Sequence, residues 1–148
     1  MEAIKNKRAY FDYEILEKLE AGMVLSGHEV KSVRANKMSL AGSYVVLREN
    51  EAYLINATIA PYQPQNNPKN YEPTRSRKLL LHNSEIKYLT GKSQERGLTL
   101  IPLRVYSNKG KIKLEFGIGR GRKKINKKDL IARREVERDI QRELKARG

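Results

Sequence analysis

The stretch LTLIPLRVYSNKGKIKLEFGIG, residues 98–119, constrains the fold more than any other part of the chain. Two β-rich arms flank Asn108-Lys109-Gly110, a turn signal that predicts a hairpin. In the second arm Lys111, Lys113 and Glu115 alternate with Ile112, Leu114 and Phe116, so one face is wet and the other buried. Pro102 has no N–H for a ladder and marks a strand edge or a bulge in the first arm.

The rest of the chain supplies partners for this hairpin. Residues 44–48 and 52–59 read as a second hairpin turning through Glu49-Asn50-Glu51, and Leu79–Leu81 as a short apolar strand. Segment 10–25 is ambiguous. Phe11, Tyr13 and Ile15 alternate like a strand, whereas Leu16, Leu19 and Met23 approach a helical spacing; the bulky residues at its front favour the strand.

Two short helices are expected. Ser26 with Glu29 three residues later forms a capping box, opening a helix from about Gly27 to Ala35 with Val30 and Val33 on one face and a stop near Asn36. Asn83 or Ser84 caps a second, running to about Gln94, with Ile86 and Leu89 buried and Gly97 ending it. Pro61, Pro64, Pro68 and Pro73 place a long loop between the two halves. With five or six strands, the expected fold is mainly β with flanking helices, its hairpins closing into a small antiparallel barrel that removes exposed edges.

Charge then narrows the function. The 148 residues hold 31 Lys/Arg against 17 Asp/Glu, a net charge of +14 that suits a polyanionic partner, since each neutralised phosphate releases counterions. Residues 120–148 carry 12 Lys/Arg and 5 acidic residues, half of that excess. The chain therefore divides into a body, 1–119, and a basic tail, 120–148.

Other classes find little support. There is no cysteine, so no disulfide or thiolate–zinc site is expected. His28 and His82 lie far apart and propose no metal centre, and no carboxylate spacing marks an acid–base pair. Gly117-Ile118-Gly119-Arg120-Gly121 lacks phosphate-loop spacing; its glycines are read as letting the chain leave the sheet. No enzyme, cofactor or metal is proposed. No apolar run is long enough to span a membrane, and MEAIKNKRAY lacks the apolar segment of a signal peptide, so a cytoplasmic location is expected.

Binding chemistry is richer. Asn6, Lys7 and Arg8 precede Tyr10, Phe11 and Tyr13, and cations beside aromatic faces suit RNA, although at least one of those rings belongs in the core. Lys31 and Arg34 share one side of the first helix, either as a solvated surface or as phosphate contacts. Arg75, Arg77 and Lys78 form a further basic cluster.

NKRAYFDYEILEKLEAGMVLSGHEVKSVRA, GSYVVLREN, IAPY, EPTRSRKLLLH and KGKIKLEFGIGRGRKK, in this order, resemble the SsrA-binding protein family, also called small protein B. The resemblance implies an oligonucleotide-binding-like closed antiparallel β-barrel and a part in bacterial trans-translation. Its members hold the tRNA-like part of transfer-messenger RNA, work with elongation factor Tu and the small ribosomal subunit at its decoding region and message channel, and catalyse no reaction. It places RNA contacts at Asn6, with the basic pair Lys7 and Arg8, and at Glu20, Leu80 and Lys113. A carboxylate at Glu20 makes sense if it accepts hydrogen bonds from base amino groups or a neighbouring arginine. A structural ribosomal protein or a general single-strand RNA binder is the alternative.

In the tail, Arg122, Lys123, Lys124, Lys127, Lys128, Arg133, Arg134, Arg138 and Arg142 are the expected ribosome contacts. Asn126 and Lys128 stand where relatives carry Asp and Arg, and Ile125 where a ring is common. From Asp129, the row Ala132, Val136, Ile140 and Leu144 is too narrow to hold a helix against the body. The tail is thus expected to be disordered when free and helical when bound.

Overall fold

The structure, a computed structural model, describes residues 1–63 and 70–122. Nine strands and three helices lie among them: β1 (Ile4–Lys5), α1 (Ala9–Asp12), β2 (Tyr13–Met23), α2 (Gly27–Arg34), β3 (Met38–Ser39), β4 (Tyr44–Arg48), β5 (Glu51–Ile55), β6 (Thr58–Ile59), β7 (Arg77–Leu80), α3 (Asn83–Ser93), β8 (Leu98–Asn108) and β9 (Lys111–Gly121). Seven strands form one antiparallel sheet in the order β1-β8-β9-β2-β7-β5-β4, and β3 pairs with β6. The mainly β reading with few helices holds.

The late hairpin is the spine of this sheet. β8 and β9 pair from Leu98↔Arg120 to Asn108↔Lys111 around Lys109 and Gly110, whose φ values of 52° and 78° are the left-handed conformation of a tight hairpin turn. Ile112, Leu114, Phe116 and Ile118 are buried as the alternation requires, and pack with Ala21, Leu54, Leu79, Leu89 and Val105 in one core. The register shifts between Pro102 and Arg104, the bulge that Pro102 announced.

In segment 10–25 the strand reading holds from Tyr13 to Met23, including Leu16, Leu19 and Met23, whereas Tyr10 and Phe11 lie in the short α1 before it. β2 has its own register shift between Ile15 and Glu17. The glycines opposite this irregularity do not let the chain leave the sheet. A Cβ on Gly117 would lie 2.8 Å from Ile15 Cγ2 and 3.0 Å from the Glu17 carbonyl oxygen, so glycine is what lets β2 and β9 approach there.

α2 follows its capping box, with the Ser26 N–H donating to Glu29 Oε1 at 3.0 Å and Asn36 at φ 62° beyond its end. α3 is capped by His82, whose N–H donates to Glu85 Oε1 at 3.0 Å, one residue before the expected Asn83 or Ser84. The first hairpin turns on Glu49 and Asn50, both at positive φ, so Glu51 belongs to the strand.

The closed barrel is a correction. Among the described residues the hydrogen-bonded order ends at β1 and β4 with no ladder joining them, although the sheet curls enough to bring β4 against β8. The N-terminal arm occupies the free edge of β8. Ile4 and Lys5 pair with Val105 and Arg104, and Asn6 donates its N–H to Leu103 O and its Nδ2 to Pro102 O, both at 2.8 Å.

β9 runs on to Gly121, and the Arg122 N–H donates to Asp12 O at 3.1 Å. The tail residues beyond, from Lys123 through Lys124, Lys127, Lys128, Arg133, Arg134 and Arg138 to Arg142, lie outside the described residues, as does the expected tail helix.

Two charges sit at the centre of the packing. Glu29 and Arg77 are both 0% exposed. Arg77 donates from Nη2 to Glu29 Oε2 at 2.8 Å and from Nη1 to Ala57 O at 2.6 Å, and reaches Pro73 O at 2.8 Å. Arg75 also pairs with Glu29, and the Tyr71 hydroxyl lies 3.1 Å from Glu29 Oε2. Burial alone would raise the Glu29 carboxyl; Arg75, the Ser26 N–H and Arg77 together outweigh it and hold the group at about 2.

That depressed value stabilises the fold above the ordinary carboxylate range and is lost as Glu29 takes up its proton. Between pH ~5 and ~2 a component of on the order of 3 kcal/mol should disappear, and Glu29→Gln should remove it from the pH profile. At neutral pH Glu29→Gln leaves Arg77 without its carboxylate and should cost about 3–5 kcal/mol, measured by chemical denaturation.

Candidate nucleic-acid interface

The outward face of the central strands carries the polar half of the hairpin alternation. On β2 Lys18 and Glu20 point outward, on β9 Lys113 and Glu115, on β8 Arg104 and Tyr106. Register aligns them: Glu20 is opposite Glu115, which is opposite Arg104, while Gly22 is opposite Lys113, which is opposite Tyr106. Gly22 also pairs with Leu80, a leucine left 55% exposed on β7.

Three residues distant in the chain thereby meet. Glu20, Leu80 and Lys113 line one cleft of ≈ 410 Å³ with Gly22, Leu81, His82 and Glu85. Gly22 carries no side chain there, and the Leu80 side chain lies against it, 3.4–3.8 Å from where a Cβ would stand. Lys113 has no ion pair among the described residues, so its ammonium is available to a phosphate.

Glu20 does not use an arginine. The Tyr106 hydroxyl donates to Glu20 Oε2, and Arg104 instead pairs with Glu115, Nε to Oε1 at 3.2 Å. The Arg104 guanidinium lies over the Tyr106 ring, 4.4 Å from its centroid. Burial, followed by the hydrogen bond and charge of Glu20, pushes the Tyr106 phenol up to about 12.

A second cleft, of ≈ 610 Å³, adjoins on the same face and is lined by Lys5, Asn6, Lys7, Tyr10, Phe11, Lys18, Leu103, Arg104 and Glu115. Tyr10 and Phe11 are half-exposed there, and Lys18 Nζ sits 5.6 Å from the Tyr10 centroid. Tyr13 instead packs against Ala9, Ile101 and Leu103, so one of the three rings is indeed in a core. Asn6 keeps its amide on Pro102 O and so positions Lys7 and Arg8; Arg8 pairs with Asp12 at 3.5 Å.

Lys31 and Arg34 are exposed on α2 and line neither cleft. Arg34 Nη2 donates to Gly110 O at 2.9 Å, tying α2 to the hairpin tip. Arg75 and Arg77 belong to the buried Glu29 network. Arg122 donates to Tyr10 O at 2.9 Å, against the body. Sequence reasoning missed Arg104, Tyr106, Glu115 and Lys18. Their signal was partly available in RVYS, where Val105 enters the main core and leaves Arg104 and Tyr106 on the wet face; Leu103, beyond the bulge, packs instead with Ala9 and Ile101.

No group of three or more metal-ligating side chains occurs among the described residues, nor does any helix there have the length and apolarity to cross a membrane. Replacing the Glu20 charge should bring the Tyr106 phenol part of the way back toward its ordinary 10, since burial, the larger cause, remains. Alkaline absorbance titration of Glu20→Gln, with Tyr106→Phe subtracted, should show one tyrosine ionising earlier.

The SmpB protein family model matches residues 3–146. The SsrA-binding protein of Trichormus variabilis is 48% identical over 140 residues, covering 95% of this chain and 90% of that protein. That of Syntrophobacter fumaroxidans is 50% identical over 143 residues, covering 97% and 88%. A chain solved in work on tmRNA-SmpB, described as a journey to the center of the bacterial ribosome, is similar in structure with a TM-score of 0.68 and 47% identity, over 84% of this chain and 87% of that one. A chain that matches the family model over nearly its whole length, and its relatives at about half of all positions, belongs to the SmpB, or SsrA-binding protein, family.

Proposed function

We propose that this chain binds the tRNA-like part of transfer-messenger RNA and brings it to stalled bacterial ribosomes in trans-translation, so that incomplete proteins are tagged and the ribosome is rescued. The observation that carries the reading is the cleft in which β2, β7 and β9 bring together Glu20, Leu80 and Lys113 in a member of this family. Leu80 offers an apolar platform for an unstacked base, Lys113 a cation for phosphate, and Glu20 an acceptor for a base amino group. The neighbouring cleft adds Lys5, Lys7 and Lys18 around two half-exposed rings, a surface suited to a backbone with splayed bases.

In this reading the protein is a non-enzymatic, cytoplasmic RNA-binding partner. Elongation factor Tu joins it in the delivery complex, and the small ribosomal subunit receives it at the decoding region and message channel. Residues 1–119 serve as the RNA-binding body, and the strongly basic 120–148 as the ribosome-facing tail. Lys31 and Arg34 act as additional phosphate contacts.

Competition binding at fixed salt tests the choice of RNA. Transfer-messenger RNA should displace bulk tRNA, whereas a general single-strand binder would show no preference. Glu20→Ala should weaken binding although it makes the protein more basic, and Lys113→Ala should weaken it and reduce the salt slope by roughly one. Tighter binding by Glu20→Ala would remove Glu20 from the site. A chain ending at Arg122, which retains the contacts of that residue to α1, should keep its affinity for transfer-messenger RNA and fail to support peptide tagging.

A further inference from the structure

The register of the outer face sets an electrostatic problem. Glu20 and Glu115 are direct cross-strand partners, and like charges so placed repel. Each is given a different neighbour from β8: Glu115 pairs with Arg104, and Glu20 accepts from Tyr106. An arginine fork at Glu20 would occupy both of its oxygens and cancel its charge. A phenol engages one oxygen and brings no opposing charge. Oε1 of Glu20 has no partner among the described residues, and Glu20 lines the cleft with Leu80 and Lys113.

Tyr106 is itself held in place. Arg104 covers its ring at 4.4 Å while fixed by its two contacts to Glu115, at 3.2 and 3.4 Å. We propose that Tyr106, braced by the Arg104–Glu115 pair, is a positioning residue for RNA recognition: it holds the Glu20 carboxylate with Oε2 engaged and Oε1 free for a base amino group. Tyr106 contributes no charge of its own, so its effect on RNA passes through Glu20. The ligand in this inference rests on the RNA-binding reading above; the coupling of Tyr106 to Glu20 does not.

The test is a double-mutant cycle on the full chain with Tyr106→Phe, Glu20→Gln and the pair, using the tRNA-like domain of transfer-messenger RNA as probe at fixed salt. Tyr106→Phe keeps the ring under Arg104 and removes only the donor. It should weaken binding about tenfold when Glu20 is present. In the Glu20→Gln background the same change should cost less than about twofold, because the carboxylate it serves is gone. The slope of log affinity against log salt should stay that of the parent, unlike the slope of Lys113→Ala. Equal losses in both backgrounds, or a flattened salt slope, overturn the proposal.

A readout free of RNA accompanies the cycle. The side-chain carboxyl carbon of Glu20, followed by NMR in the unbound protein, should shift on Tyr106→Phe while the thermal midpoint stays put. An unmoved carboxyl signal overturns the positioning role whatever the RNA does. A normal carboxyl shift with no RNA affinity in the parent chain overturns the functional reading and, with it, the assigned ligand.

Discussion

The contact between Glu29 and Arg77 is the interaction on which the remaining architecture depends. Two charges removed from water carry a large desolvation cost, and only dense hydrogen bonding offsets it. Here the carboxylate receives Arg75, Arg77 and the Ser26 N–H, and the guanidinium reaches carbonyls at Ala57 and Pro73. Those partners come from α2, the β5–β6 connection and the segment leading into β7. One buried pair thus fastens α2 to β7 and to the β5–β6 connection. The presentation of Leu80 follows from it, since Arg77 and Leu80 are the two ends of β7.

The exposed face obeys a different logic. Its cations are not simply accumulated. Arg104 is committed to Glu115 and Arg8 to Asp12, while Lys113 and Lys7 are left available beside aromatic or apolar surface. Arginine, with its fork of donors, does structural work at the rim, and lysine, a mobile point charge, faces the solvent from which a phosphate would arrive. A net charge of +14 says nothing about that division.

Several particular features were legible in the sequence for sound physical reasons. Capping boxes, hairpin turns and a proline bulge are local: Ser26 with Glu29, Asn108 to Gly110 and Pro102 act through neighbours within a few residues. Where reading failed, a distant contact was responsible. The glycines at 117 and 119 looked like an exit from the sheet until β2 was seen pressing against them across its own bulge. The closed barrel was expected because hairpins tend to eliminate edges; the arm at Ile4 to Asn6 covers the edge of β8 instead.

By itself the sequence determined the hairpins, the two main helices, the polyanion-seeking charge and, through its motifs, the family. These follow from period-two alternation, capping chemistry and residue order, all of which are written along the chain. Only the tertiary structure decided that Glu20, Leu80 and Lys113 share a cleft, and that Tyr106 rather than an arginine serves Glu20. It also decided that Arg75 and Arg77, which read as one more basic cluster, both pair with a buried carboxylate, Arg77 from within the core and Arg75 from its partly exposed rim. Strand register and the curl of the sheet set those neighbours, and both emerge only when residues nearly a hundred positions apart are packed against one core.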